Sequence, residues 1–269
     1  MNHLFRELAP VPDAAWQEIE KDAKRTLKTT CAARKLVDFV GPLGWQASAV
    51  NRGRVRTIEP PASSNVESRV RRVLPLVELR VPFELDRDEL DAVERGAEDF
   101  DTDPVIAAAR AIAIAEDRAV FHGYPAASIE GICEGATKAT ITLTDDYATY
   151  PALIAAALNR LRDGGVGGPF AVALSERCYT GLTEATVGGY PVLEHVRRLI
   201  DGPPVWAPGL DGALVLSMRG DDFQLTVGED FSIGYLDHDA RRVRLYIEES
   251  FTFWLLTPEA AVPLSFHSG

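Results

Sequence analysis

The stretch NRGRVRTIEPPASSNVESRVRR, from Asn51 to Arg72, differs from everything around it. It carries Arg52, Arg54, Arg56, Arg69, Arg71 and Arg72 against only Glu59 and Glu67. Pro60-Pro61, followed by Ala62-Ser63-Ser64-Asn65, supplies turn chemistry between two extended arms. Arms this polar do not belong in a core, so the pattern predicts a strand pair projecting from the body. The second arm runs on into Val77, Leu79, Val81 and Phe83, alternating with Glu78, Arg80 and Pro82. That period of two marks a half-buried strand where the chain re-enters the body.

On the N-terminal side, Trp16, Ile19, Ala23 and Leu27 recur at helical spacing after Pro12-Asp13. They predict a helix from Asp13 to about Val40, stopped by Gly41-Pro42. Its charged positions fall in two groups, Lys21/Lys24/Arg25/Lys28 and Arg34/Lys35. Beyond the arms, Asp86 with Glu89 resembles a capping box ahead of Leu90 and Val93. Asp103-Pro104 opens an alanine-rich helix reaching about Phe121. From Gly131 the pattern becomes alternating strand and helix. Strands are expected at 139–143, 170–174 and 213–217, with helices at 152–162 and from Pro191 through Ile200. The remainder reads as strands at 223–227, 231–236, 243–248 and 251–256, with a turn at Asp237-His238-Asp239. The ends of the chain should share one layer, with the middle inserted as a second, α/β lobe.

The 269 residues are 46% hydrophobic and 25% charged, which suits a globular protein with a sizeable core. The formal net charge of -12 argues against general nucleic-acid binding. No apolar run approaches the roughly 20 residues of a membrane span. The start, Met1-Asn2-His3-Leu4-Phe5-Arg6-Glu7, has no signal-peptide pattern, so the expected location is cytoplasmic. Cys31, Cys133 and Cys178 are far apart and form no CxxC pair, which predicts three reduced thiols.

No catalytic pattern emerges from the residue types. His3, His122, His195, His238 and His267 make no HExxH or HxH arrangement, so no metal site is predicted. His195 reads as solvated on a helix face. Ser175 lacks the glycines of a nucleophile elbow. Gly164-Gly165-Val166-Gly167-Gly168-Pro169 follows a helix, not a strand, and ends without GK[ST]; it reads as a helix-terminating turn. The carboxylates Glu98, Asp99, Asp101 and Asp103, and Asp221 with Asp222, fall at loop or cap positions.

Several segments together resemble the encapsulin shell proteins, a family also known from a linocin-type bacteriocin label. They are Leu8-Ala9-Pro10-Val11-Pro12 with Ala15-Trp16-Gln17-Glu18-Ile19, Val81-Pro82-Phe83-Glu84-Leu85 with 89–97, and 115–124 continuing into Ile129-Glu130-Gly131-Ile132. Gly188-Gly189-Tyr190-Pro191, Trp206-Ala207-Pro208, 228–235 and Glu248-Glu249-Ser250-Phe251-Thr252-Phe253 complete the set. The resemblance covers nearly the whole chain. It implies an α+β, phage-capsid (HK97-like) fold with a peripheral domain, an extended loop and an axial domain. The implied divisions are 1–50 for the N-terminal helix and start of the peripheral domain, 51–72 for the extended loop, 73–130 for the peripheral domain, 131–222 for the axial domain, and 223–269 for the return to the peripheral domain.

What the resemblance implies about function is a structural role without catalysis. The expected particle is an icosahedral homo-oligomeric shell, the smallest T=1 form favoured. It would enclose a cargo enzyme, such as a dye-decolourising peroxidase or a ferritin-like iron-oxidising protein, docked through a C-terminal peptide. The implied docking wall is Arg34 and Asp38, taken as one turn apart on the N-terminal helix, with Phe231, Ile233 and Tyr235 alternating on a strand. The implied pore loop is 183–190, with Thr183, Glu184, Thr186 and Tyr190, where Glu184 favours cations. The six arginines of 51–72 are the implied assembly residues, reaching an acidic neighbour. Asp88 stands where flavin-binding members carry an aromatic residue, so no flavin is expected; no metal, other cofactor, membrane or specific nucleic acid is expected either. The other readings are a prophage capsid protein and a peptidase or bacteriocin.

Overall fold

The helix that opens the body, α1 (Asp13–Thr30), buries Ala15, Ile19 and Ala23 along the predicted stripe. It ends at Thr30, not near Val40. The cause is Asp117, whose carboxylate accepts the N–H groups of Ala32 (2.9 Å) and Ala33 (2.8 Å). Side-chain capture of these donors replaces the helical carbonyls they would otherwise need. One 3-10 turn, Ala33–Lys35, follows, and then the short strand β1 (Asp38–Val40). A computed structural model of the chain describes residues 2–61 and 65–266. Ala62, Ser63 and Ser64 of the expected turn, and His267, lie outside the described residues.

The arms form β2 (Ala49–Ile58) and β3 (Ser68–Pro75), an antiparallel pair in a sheet of their own. Arg54 lies opposite Arg72, Val55 opposite Arg71, and Arg56 opposite Val70, after a register shift between Asn51 and Arg54. β4 (Val77–Asp86) carries the alternating pattern and buries Phe83 and Leu85. The Asp86 side chain caps α2 (Arg87–Glu94) by accepting the N–H of Asp88 at 2.8 Å. In α3 (Asp103–His122), Asp103 lies inside the first turn and Thr102 holds the capping position. Ala108, Ala109 and Ala113 are buried, letting α3 approach both α1 and β4 closely.

The inserted lobe runs α4 (Ile132–Gly135), β5 (Ile141–Leu143), α5 (Tyr150–Asp163), β6 (Phe170–Leu174), α6 (Glu176–Glu184), β7 (Thr186–Val187), β8 (Tyr190–Pro191), α7 (Val192–Arg197), β9 (Val205–Trp206) and β10 (Ala213–Ser217). Every residue of β6 and β10 is buried, as expected of central strands covered on both faces. Ser175 caps α6, its hydroxyl accepting the N–H of Cys178.

The chain then builds the first sheet with β11 (Phe223–Val227), β12 (Ser232–His238) and β13 (Arg242–Leu255), in order β1-β11-β13-β12 with β4 also on β13. Two expected strands are one: β13 runs unbroken through Glu248, Glu249 and Ser250, where Arg80 pairs with one oxygen of Glu248, Arg34 with one oxygen of Glu249, and the Ser250 hydroxyl accepts the Glu229 N–H. The turn after β12 moves to 239–241, where the Asp239 carboxylate accepts the N–H groups of Arg241 (2.7 Å) and Arg242 (2.8 Å). The expected grouping of 223–269 is also divided. The last strand, β14 (Ala261–Phe266), inserts between β5 and β10, giving the second sheet the order β5-β14-β10-β6-β9. Its run Ala261-Val262-Pro263-Leu264 is wholly buried there, an apolar content that only a covered sheet can accept.

Candidate functional site

Three buried carboxylates organise the junction after α1. Asp117 holds the backbone of Ala32 and Ala33, as described above. Its neighbour Glu116 takes the next side chain: Arg34 Nε lies 2.9 Å from both Glu116 oxygens and Nη2 lies 2.7 Å from one. Arg34 Nη2 also reaches Glu249 at 3.1 Å and Nη1 reaches Asp230 at 2.7 Å. Glu116 and Glu249 are completely buried. The Arg34 guanidinium lies 4.1 Å from the Phe231 ring centre and 5.3 Å from that of Phe39.

The electrostatics follow from that crowding. Burial pushes the Asp117 carboxyl up to about 7, against the lowering effect of the Ala32 and Ala33 N–H bonds. Complete burial also raises Glu249, and the nearby Glu116 charge adds to the effect. Burial disfavours the Arg34 charge, but the hydrogen bonds and charges of Glu116, Glu249 and Asp230 outweigh it and hold Arg34 protonated. Burial raises the Cys31 thiol, which disfavours the reactive thiolate form.

Above this cluster lies a groove of about 640 Å³. One wall is α1, through Ala23, Leu27 and Lys28. The other is the start of β12, through Phe231 and Ile233. Arg34 with Asp230 closes one end; Leu4 and Arg6, the latter ion-paired to Glu20, close the other. Three of the five expected wall residues, Arg34, Phe231 and Ile233, therefore line one cavity. Asp38 does not. It sits on β1, not on the helix of Arg34, and its carboxylate accepts the N–H of Asp221 at 2.6 Å. The two were expected one helical turn apart, and the early end of α1 removes that relationship. Tyr235 continues the β12 alternation past the groove, its hydroxyl 2.6 Å from His238 Nδ1.

The six arginines divide into two groups. Arg52 sits at the arm's base, 5.3 Å from the Trp254 ring centre, and Arg69 pairs with Glu67. Arg54, Arg56, Arg71 and Arg72 have no ion-pair partner among the described residues. Val55, Val66, Val70 and Val73 beside them are each more than two-fifths exposed.

The expected pore loop is a tight hairpin at the end of α6. Thr186 pairs with Pro191 and Val187 with Tyr190 across Gly188-Gly189, whose φ values of 61° and 84° suit glycine. Tyr190, in the strand just after the turn, is 64% exposed, and Glu184 is exposed at the end of α6. The Thr183 hydroxyl donates back to the Tyr179 carbonyl at 2.8 Å. His195, expected to be solvated, is half-buried with Nε2 3.2 Å from the Val187 carbonyl, so it ties the hairpin to α7.

Sequence reading missed Glu116, Asp117, Asp230 and Glu249 as a unit. A signal for them existed: charged residues stand inside runs that are otherwise alanine-rich or aromatic, at Glu116-Asp117 and Glu248-Glu249. Among the described residues no cluster of three or more His, Cys, Asp or Glu is arranged to hold a metal ion, and no helix is long and apolar enough to cross a membrane.

Comparison with known proteins bears on the whole chain. The family described as "Encapsulating protein for peroxidase" matches residues 1–252. The type 1 encapsulin shell protein of Rhodospirillum rubrum is 57% identical over 270 residues, covering 98% of this chain and 96% of its own. That of Mycobacterium tuberculosis is 48% identical over 265 residues, covering 98% of this chain and 100% of its own. Among solved structures, a virus-like particle from Pyrococcus furiosus superposes with a TM-score of 0.64 over 91% of this chain and 97% of the other, at 15% identity. A structure from Gordonia phage Cozz superposes with a TM-score of 0.54 over 89% of this chain and 87% of the other, at 13% identity, so the fold is that of the phage capsids.

Proposed function

The chain belongs to the encapsulin shell proteins, and from that premise we propose that it assembles with copies of itself into a closed icosahedral shell that holds a cargo enzyme. The arm carries this reading. Among the described residues, β2 and β3 place exposed valines and four arginines without an ion-pair partner on a two-stranded sheet that no other described strand joins. A lone two-stranded ribbon is marginal in water. Arg54 directly opposite Arg72 is a like-charge pair, unfavourable unless an acidic surface lies across it. On a chain of net charge -12, a second copy offers such a surface.

The groove between α1 and β12 is the proposed dock for the cargo's C-terminal peptide, with a peroxidase or a ferritin-like iron-oxidising protein as cargo. The family's description names a peroxidase. Small solutes then enter where copies of the 183–190 hairpin meet, past Glu184. Size-exclusion chromatography with negative-stain microscopy tests assembly at neutral pH and moderate salt. Closed particles are expected, and a small oligomer would overturn the proposal.

A further inference from the structure

The first sheet ends on the side of β12, and that edge opens into the groove. In the ladder with β13, Ser232 lies opposite Glu248, Ile233 opposite Ile247, Gly234 opposite Tyr246 and Tyr235 opposite Leu245. Antiparallel neighbours alternate between residues that bond their partner and residues whose N–H and C=O point away. The bonds of two residues fix which set is which. Tyr235 N–H donates outward, to the Leu4 carbonyl at 2.8 Å, so Tyr235 belongs to the outward set. On β13, Ser250 bonds toward the β12 side, its N–H to the Glu229 carbonyl and its carbonyl to the Gly228 N–H, which puts Ser250, Glu248 and Tyr246 in the inward set. Both residues' bonds place the N–H and C=O of Ile233 on the outer edge.

Ile233 is only 7% exposed and lines the groove. No described residue accepts from its N–H or donates to its C=O. Buried backbone groups are rarely left without partners. One position further along, the chain's own N-terminal segment already fills the same edge through Leu4. The Ile233 position is left open among the described residues, between α1 and the Arg34–Phe231 contact.

We propose that the partner segment docks here as an added β-strand on the edge of β12, hydrogen-bonded through the N–H and C=O of Ile233. This rests on the reading of the groove as the cargo dock. The chemistry selects an extended peptide with apolar side chains at alternate positions, one row facing Ala23 and Leu27. The residue paired with Ile233 must keep its own N–H, which excludes proline there.

Amide hydrogen exchange separates the possibilities. It is measured on shells purified from the source organism with their contents, and on the same chain expressed alone as empty shells. The Ile233 amide is expected to exchange at least about tenfold more slowly in loaded shells. If loading protects residues 20–31 while Ile233 exchanges as in empty shells, strand addition is wrong and the groove reading stands. If neither region changes, both are wrong. Three variants give a second readout. Ile233→Pro removes the outward donor, which takes no part in the β13 ladder, but also cuts back the buried Ile side chain and fixes φ; Ile233→Val keeps the donor, and Ile233→Ala keeps it while cutting back the side chain. Shells of Ile233→Pro should lose most of their cargo, and more than those of Ile233→Ala, while those of Ile233→Val should keep it; full cargo in Ile233→Pro shells would overturn the proposal. Should Ile233→Pro fail to assemble, hydrogen exchange decides alone.

Discussion

Arg34 and Glu116 are locked in a forked ion pair, with the guanidinium Nε 2.9 Å from both carboxylate oxygens and Nη2 2.7 Å from one of them. The pair joins the turn after α1 to the middle of α3, and Glu249 brings in β13 through the same Nη2. Arg34 therefore holds the groove's floor together before any partner arrives.

Removing that side chain should damage the fold itself. Arg34→Ala strands Glu116 and Glu249, both fully buried, without their cation. Breaking a buried pair in this way costs about 3–5 kcal/mol. Arg34→Lys should recover only part of it, because an ammonium cannot fork across two carboxylates. Thermal unfolding and soluble yield of the variants measure the effect. An unfolding midpoint for Arg34→Ala equal to that of the parent would show that the cluster does not support the fold.

Phe231→Ala should separate docking from folding. Phe231 is only partly buried, stacks on the outer side of Arg34 and lines the groove. Shells are expected to form normally and to carry several-fold less cargo, measured as protein per shell by quantitative mass spectrometry. Undiminished cargo would remove Phe231 from the docking wall.

Acidity should act on this cluster in an uncommon direction. Burial raises Asp117 to about 7, and it raises Glu249 as well. A carboxyl whose folded value lies above its unfolded value, about 4, favours folding fully below that unfolded value. The contribution is lost as pH rises through the folded value. The unfolding midpoint should thus fall between about pH 5 and about pH 8, and Asp117→Asn should flatten its share of the slope. A midpoint rising across this window in the parent, unchanged in Asp117→Asn, would contradict the assignment.

How much of this was legible in the sequence depends on the range of the cause. The arm announced itself because its arginines and Pro60-Pro61 are local, and β6, β10 and β11 because their apolar runs are bounded by turn residues. The end of α1 was not legible, since Asp117 lies 84 residues from Ala33 and nothing near Thr30 marks the stop. The same long-range capture moved Asp38 off the helix and out of the groove. The placement of β14 beside β5 and β10 was equally hidden, because a short apolar strand reads the same in either sheet. Arg34, Phe231 and Ile233 reached the groove on the strength of the family resemblance; periodicity alone would not have joined them.

Glu184 should set the charge preference of the proposed pore. It is exposed at the end of α6, beside a hairpin held by His195. Repeated around a symmetry axis, a single carboxylate becomes a ring. Glu184→Lys should slow entry of a divalent cation severalfold without altering assembly, read from the quenching of a dye enclosed in the shell. Equal entry rates in parent and variant would locate passage elsewhere.

The arm offers the sharpest test of assembly. Arg54 and Arg72 face each other across β2 and β3 with no anion beside them among the described residues. An exposed charge pair contributes at most about 1 kcal/mol. A closed shell repeats each contact in every subunit, however, so small losses multiply. Arg54→Glu combined with Arg72→Glu keeps one like-charge pair but reverses its sign, and it turns attraction to an acidic neighbour into repulsion. The subunit should stay folded, because no residue of β2 or β3 belongs to either of the two hydrophobic core clusters, while closed particles give way to small species on size-exclusion chromatography. Raising the salt should weaken assembly of the parent and partly relieve the repulsion in the double variant, since exposed charges are screened beyond about 10 Å at 0.1 M. Shells of normal size and yield from the double variant at low salt would mean that the arm assembles through its exposed valines and not through its charge.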